Sequence, residues 1–215
     1  MKLVIGNKNY STWSLRPWLL LDYFEVPFEE VMESLQPEKL SLRLSQYSAS
    51  SKVPVLLDGE NTVWDSLAIC EHISEQYLSG RGWPEQVKNR ALARSISAQM
   101  HSGFGAMRNE MPMNIRAKRH LVLSDEAIND INQVQRLWHD SIAATGGPWL
   151  CGDFSIADCM FAPVAMRFIT YGIELTPQAQ AYVDRITQLP SMQKWIASAL
   201  TETDVVDVDE AGIDR

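Results

Sequence analysis

The spacing of apolar residues changes several times within the first eighty positions. Leu3-Val4-Ile5 is a short apolar run and predicts a strand. From Trp18 to Phe24 the apolar density is helical, with Pro17 placed in a first helical turn, where its missing N–H is harmless. Phe28 to Leu35 alternates in part and predicts a weak strand, and Pro37 to Gln46 a short helix. Val53 to Leu57 predicts a strand that turns at Asp58-Gly59-Glu60-Asn61 and returns as a hairpin through Thr62-Val63-Trp64. Ser66 opens a helix with Leu67, Ile69, Cys70, Ile73 and Tyr77 on one side, ended by Gly80. The predicted order is β-α-β-α-β-β-α.

Ser79-Gly80-Arg81-Gly82-Trp83-Pro84 is punctuation and reads as a linker. Beyond it the pattern is helical throughout, with long helices expected over 85–116, 124–145, 156–170, 177–188 and 190–200. Residues 201–215 form an acidic tail expected to be mobile or loosely packed. The chain therefore divides into an α/β domain at 1–80, an all-helical domain at 85–200 and the tail at 201–215.

Composition narrows the class. The 215 residues are 46% hydrophobic and 21% charged, which excludes wholesale disorder. A net charge of −8 argues against nucleic acid and against an anionic membrane as partners. That charge is uneven: residues 1–80 carry −5, residues 81–200 carry +2, and the tail carries −5. Three cysteines, Cys70, Cys151 and Cys159, show no metal-binding or disulfide spacing, so no metal and a reducing compartment are expected. Met1 to Ile5 is too short for a signal peptide before the polar Asn7-Lys8-Asn9, and no apolar run reaches 18 residues. A cytoplasmic location follows as the expectation.

Three segments carry candidate chemistry. Val53-Pro54 begins a strand with a residue that lacks an N–H. It is either an ordinary edge-strand proline, or a cis bond that frees the Val53 backbone to pair with an extended ligand. Asp65-Ser66 stands at a helix head. Ser66 serves as N-cap, and the pair is also able to hold a carboxylate on the helix N–H groups and an ammonium on Asp65. Asn9 to Pro17 offers the hydroxyls of Ser11, Thr12 and Ser14 at another helix start, which suits simple capping or the stabilisation of a thiolate.

Taken together these segments resemble the glutathione-binding domain of cytosolic glutathione transferases. Ser11-Thr12-Trp13-Ser14-Leu15-Arg16 resembles the Ser-Ser-Cys-Ser-x-Arg signature of zeta-class enzymes. Lys52-Val53-Pro54-Val55-Leu56 resembles the family's Lys-Val-Pro-x-Leu with its cis-proline, and Asp65-Ser66 its acidic-Ser pair. Phe154-Ser155-Ile156-Ala157-Asp158 resembles its Ser/Thr-x-x-Asp box before a buried helix. The resemblance spans roughly residues 1–200. It implies a thioredoxin-like N-terminal domain and an all-α C-terminal helical bundle, assembled as a homodimer.

The resemblance also implies roles. Ser11 would donate to the sulfur of glutathione as co-substrate, with Thr12 and Ser14 as neighbours able to substitute. The Val53 backbone beside Pro54 would pair with the cysteinyl part, Asp65 and Ser66 would hold the γ-glutamyl end, and Lys52 would reach the glycyl carboxylate. Ser155 and Asp158 are folding residues. Trp13 stands where the zeta signature has cysteine, which counts against the isomerase chemistry of that class.

The second substrate would meet the helical domain. Phe104, Met107, Arg108, Met111 and Arg167 are its expected pocket, with Arg116, Lys118, Arg119 and His120 adding positive charge nearby. Such a wall suits a small anionic or polarised electrophile, unless the methionines are core and the basic run is a solvated helix end. The function implied is attack of glutathione thiolate on that electrophile. A glutathione-dependent isomerase or peroxidase, and a non-catalytic binding or regulatory protein, are the alternatives.

Overall fold

The computed structural model describes residues 1–215. The first part of the chain forms β1 (Lys2–Gly6), α1 (Thr12–Tyr23), β2 (Glu29–Glu33), α2 (Leu40–Ser45), β3 (Val55–Asp58), β4 (Asn61–Val63) and α3 (Ser66–Tyr77). Its four strands make one mixed sheet in the order β2-β1-β3-β4. β1 runs parallel to β2, with Lys2 opposite Glu29, and antiparallel to β3, with Val4 opposite Val55. This is the thioredoxin-like arrangement.

The remainder forms α4 (Val87–Ser102), α5 (Gly105–Glu110), β5 (Arg119–His120), α6 (Asp125–Thr145), α7 (Ile156–Tyr171), α8 (Pro177–Gln188) and α9 (Pro190–Thr201). A single turn of 3-10 helix at Asp207–Asp209 and β6 (Ile213–Asp214) follow. No helix is long and apolar enough to cross a membrane.

α1 is the hinge of the architecture. It packs against α3 on its own sheet and against α7 and α9 of the helical part. Leu15, Leu19, Leu20 and Leu21 are all fully buried there. Each buried leucine contributes about 1.5–3 kcal/mol, more than the differences in helix propensity among ordinary residues, which stay below about 1 kcal/mol. Packing therefore fixes α1, and it starts earlier than the apolar density from Trp18 predicts. Pro17 consequently lies inside the helix rather than in its first turn.

α7 is the other central element, buried without interruption from Ile156 to Phe168. Its start is fixed by Asp158, whose buried carboxylate accepts the Ser155 N–H at 3.0 Å, the Leu150 N–H at 3.1 Å and the Tyr182 hydroxyl at 3.0 Å.

Three expectations need correction. The helix over 85–116 is broken in two at Gly103-Phe104. Phe104 adopts φ +55°, which ends α4 and buries its ring in the core. The helix from Ser66 stops at Tyr77, and Gly80, at φ +83°, follows in the turn where its N–H donates to the Ser74 carbonyl. The acidic tail is not loose. β6 pairs with β5, Arg119 opposite Asp214 and His120 opposite Ile213, and the tail carboxylates make a series of contacts with the first loop of the chain.

Candidate functional site

That loop, Asn7 to Tyr10, leads from β1 to Ser11 and is almost wholly buried. Buried polar groups need partners, and each of its residues has them. Asn7 accepts the Leu35 N–H at 2.7 Å and donates to Asp204 at 3.2 Å. Lys8 and Asn9 donate their backbone N–H groups to the two oxygens of Glu202, at 2.7 and 3.1 Å. The Lys8 carbonyl accepts Trp195 Nε1 at 2.9 Å. Asn9 donates to the Asn114 side chain at 2.9 Å and accepts the Arg116 N–H at 2.8 Å. Tyr10 donates to Glu210 at 2.6 Å and accepts from Arg116 at 2.9 Å. In the sequence Asn7-Lys8-Asn9 is only a polar break. In the structure it is the clamp that sets where α1 begins.

Ser11 is the N-cap of α1, its Oγ accepting the Ser14 N–H at 3.4 Å. Its hydroxyl donates to Ser14 Oγ at 2.7 Å, and Ser14 Oγ also accepts the Gly6 N–H at 3.1 Å. Ser11 and Thr12 line a cavity of about 390 Å³. Ser14 is fully buried beneath them, does not line the cavity, and ties α1 to β1.

A second cavity, of about 430 Å³, adjoins the first through shared walls at Trp13, Lys52 and Val53. Ser50, Pro54, Trp64, Asp65 and Ser66 complete it. The Val53-Pro54 peptide is cis, as is Trp64-Asp65. Val53 lies outside the β3 ladder and has no turn, loop or cap hydrogen bond at its N–H or carbonyl. Lys52 is exposed at the boundary of the two spaces. Asp65, not Ser66, is the N-cap of α3, accepting the Leu67 N–H at 2.9 Å. Ser66 is the first helical residue, buried, and its Oγ accepts from Arg16 at 3.4 Å.

Trp13 divides the cavities and is held by cations. The guanidinium carbons of Arg16 and Arg108 lie 4.2 and 5.1 Å from its ring centroid. His101 of α4 meets it edge-on, with centroids 5.3 Å apart. The same imidazole brings Nε2 to 3.3 Å from the Asp65 carboxylate. His101 thus bridges the helical part to the head of α3, a contact with no signal in the sequence.

Arg16 and Arg167 are buried without a carboxylate partner, and each leaves Nε unbonded. Burial is the first cause that lowers their pKa values, to about 9 and about 10, with repulsion from neighbouring arginines second. Both remain protonated at neutral pH. Arg167 donates to the carbonyls of Met111 at 2.7 Å and Arg108 at 3.3 Å, and Arg108 to those of Gly103 and His101.

The expected second-substrate pocket is met in part. Arg108 and Arg167 line the first cavity, opposite Ser11 and Thr12. Phe104, Met107 and Met111 do not. They are buried in the core, Met107 and Met111 completely, because the break at Phe104 turns this apolar face inward. Pro112 and Met113 supply the apolar wall instead. Arg116 and Arg119 line neither cavity, and the charge of Arg119 is paired. Arg116 donates to the carbonyls of Glu202 and Asp204, and Arg119 pairs with Glu210 and Asp214. A larger open groove, about 910 Å³, runs past Trp83 and Arg94 and contains none of these groups.

Residues 10–76 match the family model described as "Glutathione S-transferase, N-terminal domain". The chain carries a glutathione S-transferase N-terminal domain. The matched span includes Ser11, Thr12, Lys52, Val53, Pro54, Asp65 and Ser66, and excludes Arg108 and Arg167.

Two curated relatives are similar to it. Maleylacetoacetate isomerase of Rattus norvegicus is 26% identical over 79% of this chain and 79% of that protein. Dichloromethane dehalogenase of Methylorubrum extorquens is 36% identical over 38% of this chain, and the match spans about a third (31%) of that protein. Among solved structures, a glutathione transferase homolog from Burkholderia with bound glutathione superposes at a TM-score of 0.72 and 23% identity, covering 92% of this chain and 97% of that one. That likeness shows the glutathione transferase fold, with the thioredoxin-like sheet followed by the helical bundle.

Proposed function

We propose that this protein is a glutathione transferase joining the sulfur of glutathione to a small electrophile. The observation that carries the reading is the adjacency of the two cavities: hydroxyls at the head of α1 on one side, and the unpaired Val53 backbone and Asp65 carboxylate on the other. The tripeptide would lie along the second cavity. Val53 would pair with its cysteinyl backbone, Asp65 and Ser66 would receive the γ-glutamyl end, and Lys52 the glycyl carboxylate. Its sulfur would then face Ser11, with Thr12 beside it.

A hydroxyl donor and the N-terminal dipole of α1 favour the thiolate over the thiol. The thiol proton leaves to solvent. A sulfur lone pair forms the new S–C bond, and the leaving group departs with the electrons of the bond it breaks. The protein's part is to bind, orient and stabilise the anion. The homodimer, the cytoplasmic location and the division at 1–80 and 85–200 belong to the same reading.

Replacing Ser11 by Ala tests it. Conjugation should fall while the thermal unfolding midpoint changes little. An undiminished rate removes Ser11 from the role and transfers it to Thr12.

Isomerisation is the second reading, favoured by the similarity to maleylacetoacetate isomerase over 79% of each chain. Trp13 in place of the zeta cysteine weighs against it. Turnover of a maleyl-type cis-alkene without consumption of glutathione would select isomerisation over transfer.

A further inference from the structure

The cavity beside Ser11 is cationic, with Lys52, Arg108 and Arg167 on its wall. One acidic residue faces them, and it comes from the tail. Asp209 closes the turn of 3-10 helix at Asp207–Asp209, its N–H donating to the Val206 carbonyl at 2.8 Å. The turn is pinned from the next residue, since Glu210 is fixed by Tyr10, Asn114 and Arg119. The other acids of the tail are turned elsewhere. Glu202 and Asp204 bind the first loop, Asp214 pairs with Arg119, and Asp207 is exposed.

Asp209 differs from them all. Its carboxylate accepts no hydrogen bond and stands in no ion pair within 4.0 Å. It is partly buried, and burial raises its pKa while Arg167 opposes the rise. A partly desolvated carboxylate without a partner costs stability. It contributes nothing to the attachment of the tail, which its neighbours already secure.

We propose that Asp209 sets the charge selectivity of the cavity. It disfavours electrophiles bearing a full negative charge and admits neutral ones whose polarised oxygens accept from Arg108 and Arg167. Selectivity here is exclusion by an unfavourable contact rather than added attraction. The inference rests on the reading of this cavity as the electrophile's site, and it reverses the expectation of an anionic acceptor drawn from the bunched cations at 108–120.

The test uses two matched pairs of probes on the full chain and its Asp209→Asn variant. Binding of nitrobenzene and of 4-nitrobenzoate is measured by calorimetry with glutathione present. Conjugation is measured with a neutral chloronitroarene and its carboxylated analogue. The isosteric change should tighten 4-nitrobenzoate about tenfold relative to nitrobenzene, and should raise kcat/KM for the carboxylated acceptor by a similar factor relative to the neutral one. Asp207→Asn, which removes an equal charge outside the cavity, should shift neither ratio. Unchanged binding ratios in Asp209→Asn, or an equal shift in Asp207→Asn, would overturn the role of Asp209. Absence of turnover with either acceptor, alongside the expected binding shift, would count against the transferase reading and leave the charge selectivity standing.

Discussion

Tyr10 donates its hydroxyl to Glu210 at 2.6 Å, so the residue before Ser11 is held by a side chain 200 positions later. The carboxylate receives Asn114 and Arg119 as well, and Arg116 donates to the Tyr10 oxygen. Loop, helical part and tail therefore meet in one network. Removing the phenolic hydroxyl by Tyr10→Phe leaves a partly buried, charged acceptor short of a donor. That should cost about 1–3 kcal/mol, read as a lower urea midpoint with an unchanged slope. An unchanged midpoint would mean that the network carries no net stability.

The two serines of α1 should separate in their effects. Ser11→Ala should reduce conjugation about a hundredfold, the lower end of the range for losing one donor to a developing anion. Unfolding should be less affected than by Ser14→Ala: the 3.4 Å cap bond and the 2.7 Å bond to Ser14 Oγ are lost, but Ser14 Oγ keeps the Gly6 N–H and no buried backbone group loses its only partner. Ser14→Ala should act the other way. It leaves the buried Gly6 N–H without its acceptor, for a loss of about 1–3 kcal/mol in stability. Thiolate absorbance on adding glutathione, and chemical denaturation, measure the two.

Asp65 and His101 should behave as a pair. Asp65→Ala should weaken glutathione binding by removing the carboxylate proposed for the ammonium group. His101→Ala should weaken it less, by freeing that carboxylate and the edge of Trp13. In calorimetry the double variant should lose less than the sum of the two single losses, because both act on one contact. Additive losses would dissociate them.

The tail should detach in acid. Hydrogen bonds from Ser34 and Asn7 hold the Asp204 pKa below its ordinary value. Burial acts to raise Glu210, but hydrogen bonds from Tyr10, Arg119 and Asn114 outweigh it and its pKa is also lowered. Groups with depressed folded-state pKa values contribute stability above the unfolded values, and lose it as pH falls through the folded ones. Amide protection over residues 202–215, corrected for the intrinsic exchange rate, should therefore be full near pH 6 and decline below about pH 4. Protection that is constant down to pH 3 would contradict this.

Much of this fold was legible from the apolar pattern. The strands near Leu3 and Val55, the linker after Tyr77, and α6 to α9 fall within a few residues of their predicted bounds. Misses arose where tertiary contacts override local pattern. α1 begins at Thr12 because the buried loop before it is clamped, which no local periodicity reports. Phe104 breaks a helix at a position with ordinary helical composition. The lining of the candidate site was legible where motifs are contiguous, since Ser11-Thr12, Lys52-Val53-Pro54 and Asp65-Ser66 fall on the two adjoining cavities. It was not legible where residues come from distant elements, at His101 and Asp209. The charge split along the chain misled for the same reason. Arg119 is paired with the tail carboxylates of Glu210 and Asp214, and Arg116 is tied to tail backbone carbonyls, so neither faces the cavity as a free cation.

The bonds from Lys8 and Asn9 to Glu202 set an order in time as well as in space. A chain made from its N-terminus has the residues of the sheet and α3 once the first third has emerged, but not yet the α7 and α9 surfaces against which α1 packs. The approach to Ser11 still lacks its acceptors at that stage. They arrive with residues 202–210, after every helix is out. The acceptors that shape the approach to Ser11 therefore follow the helices on which α1 packs, and the site is finished from residues 202–210.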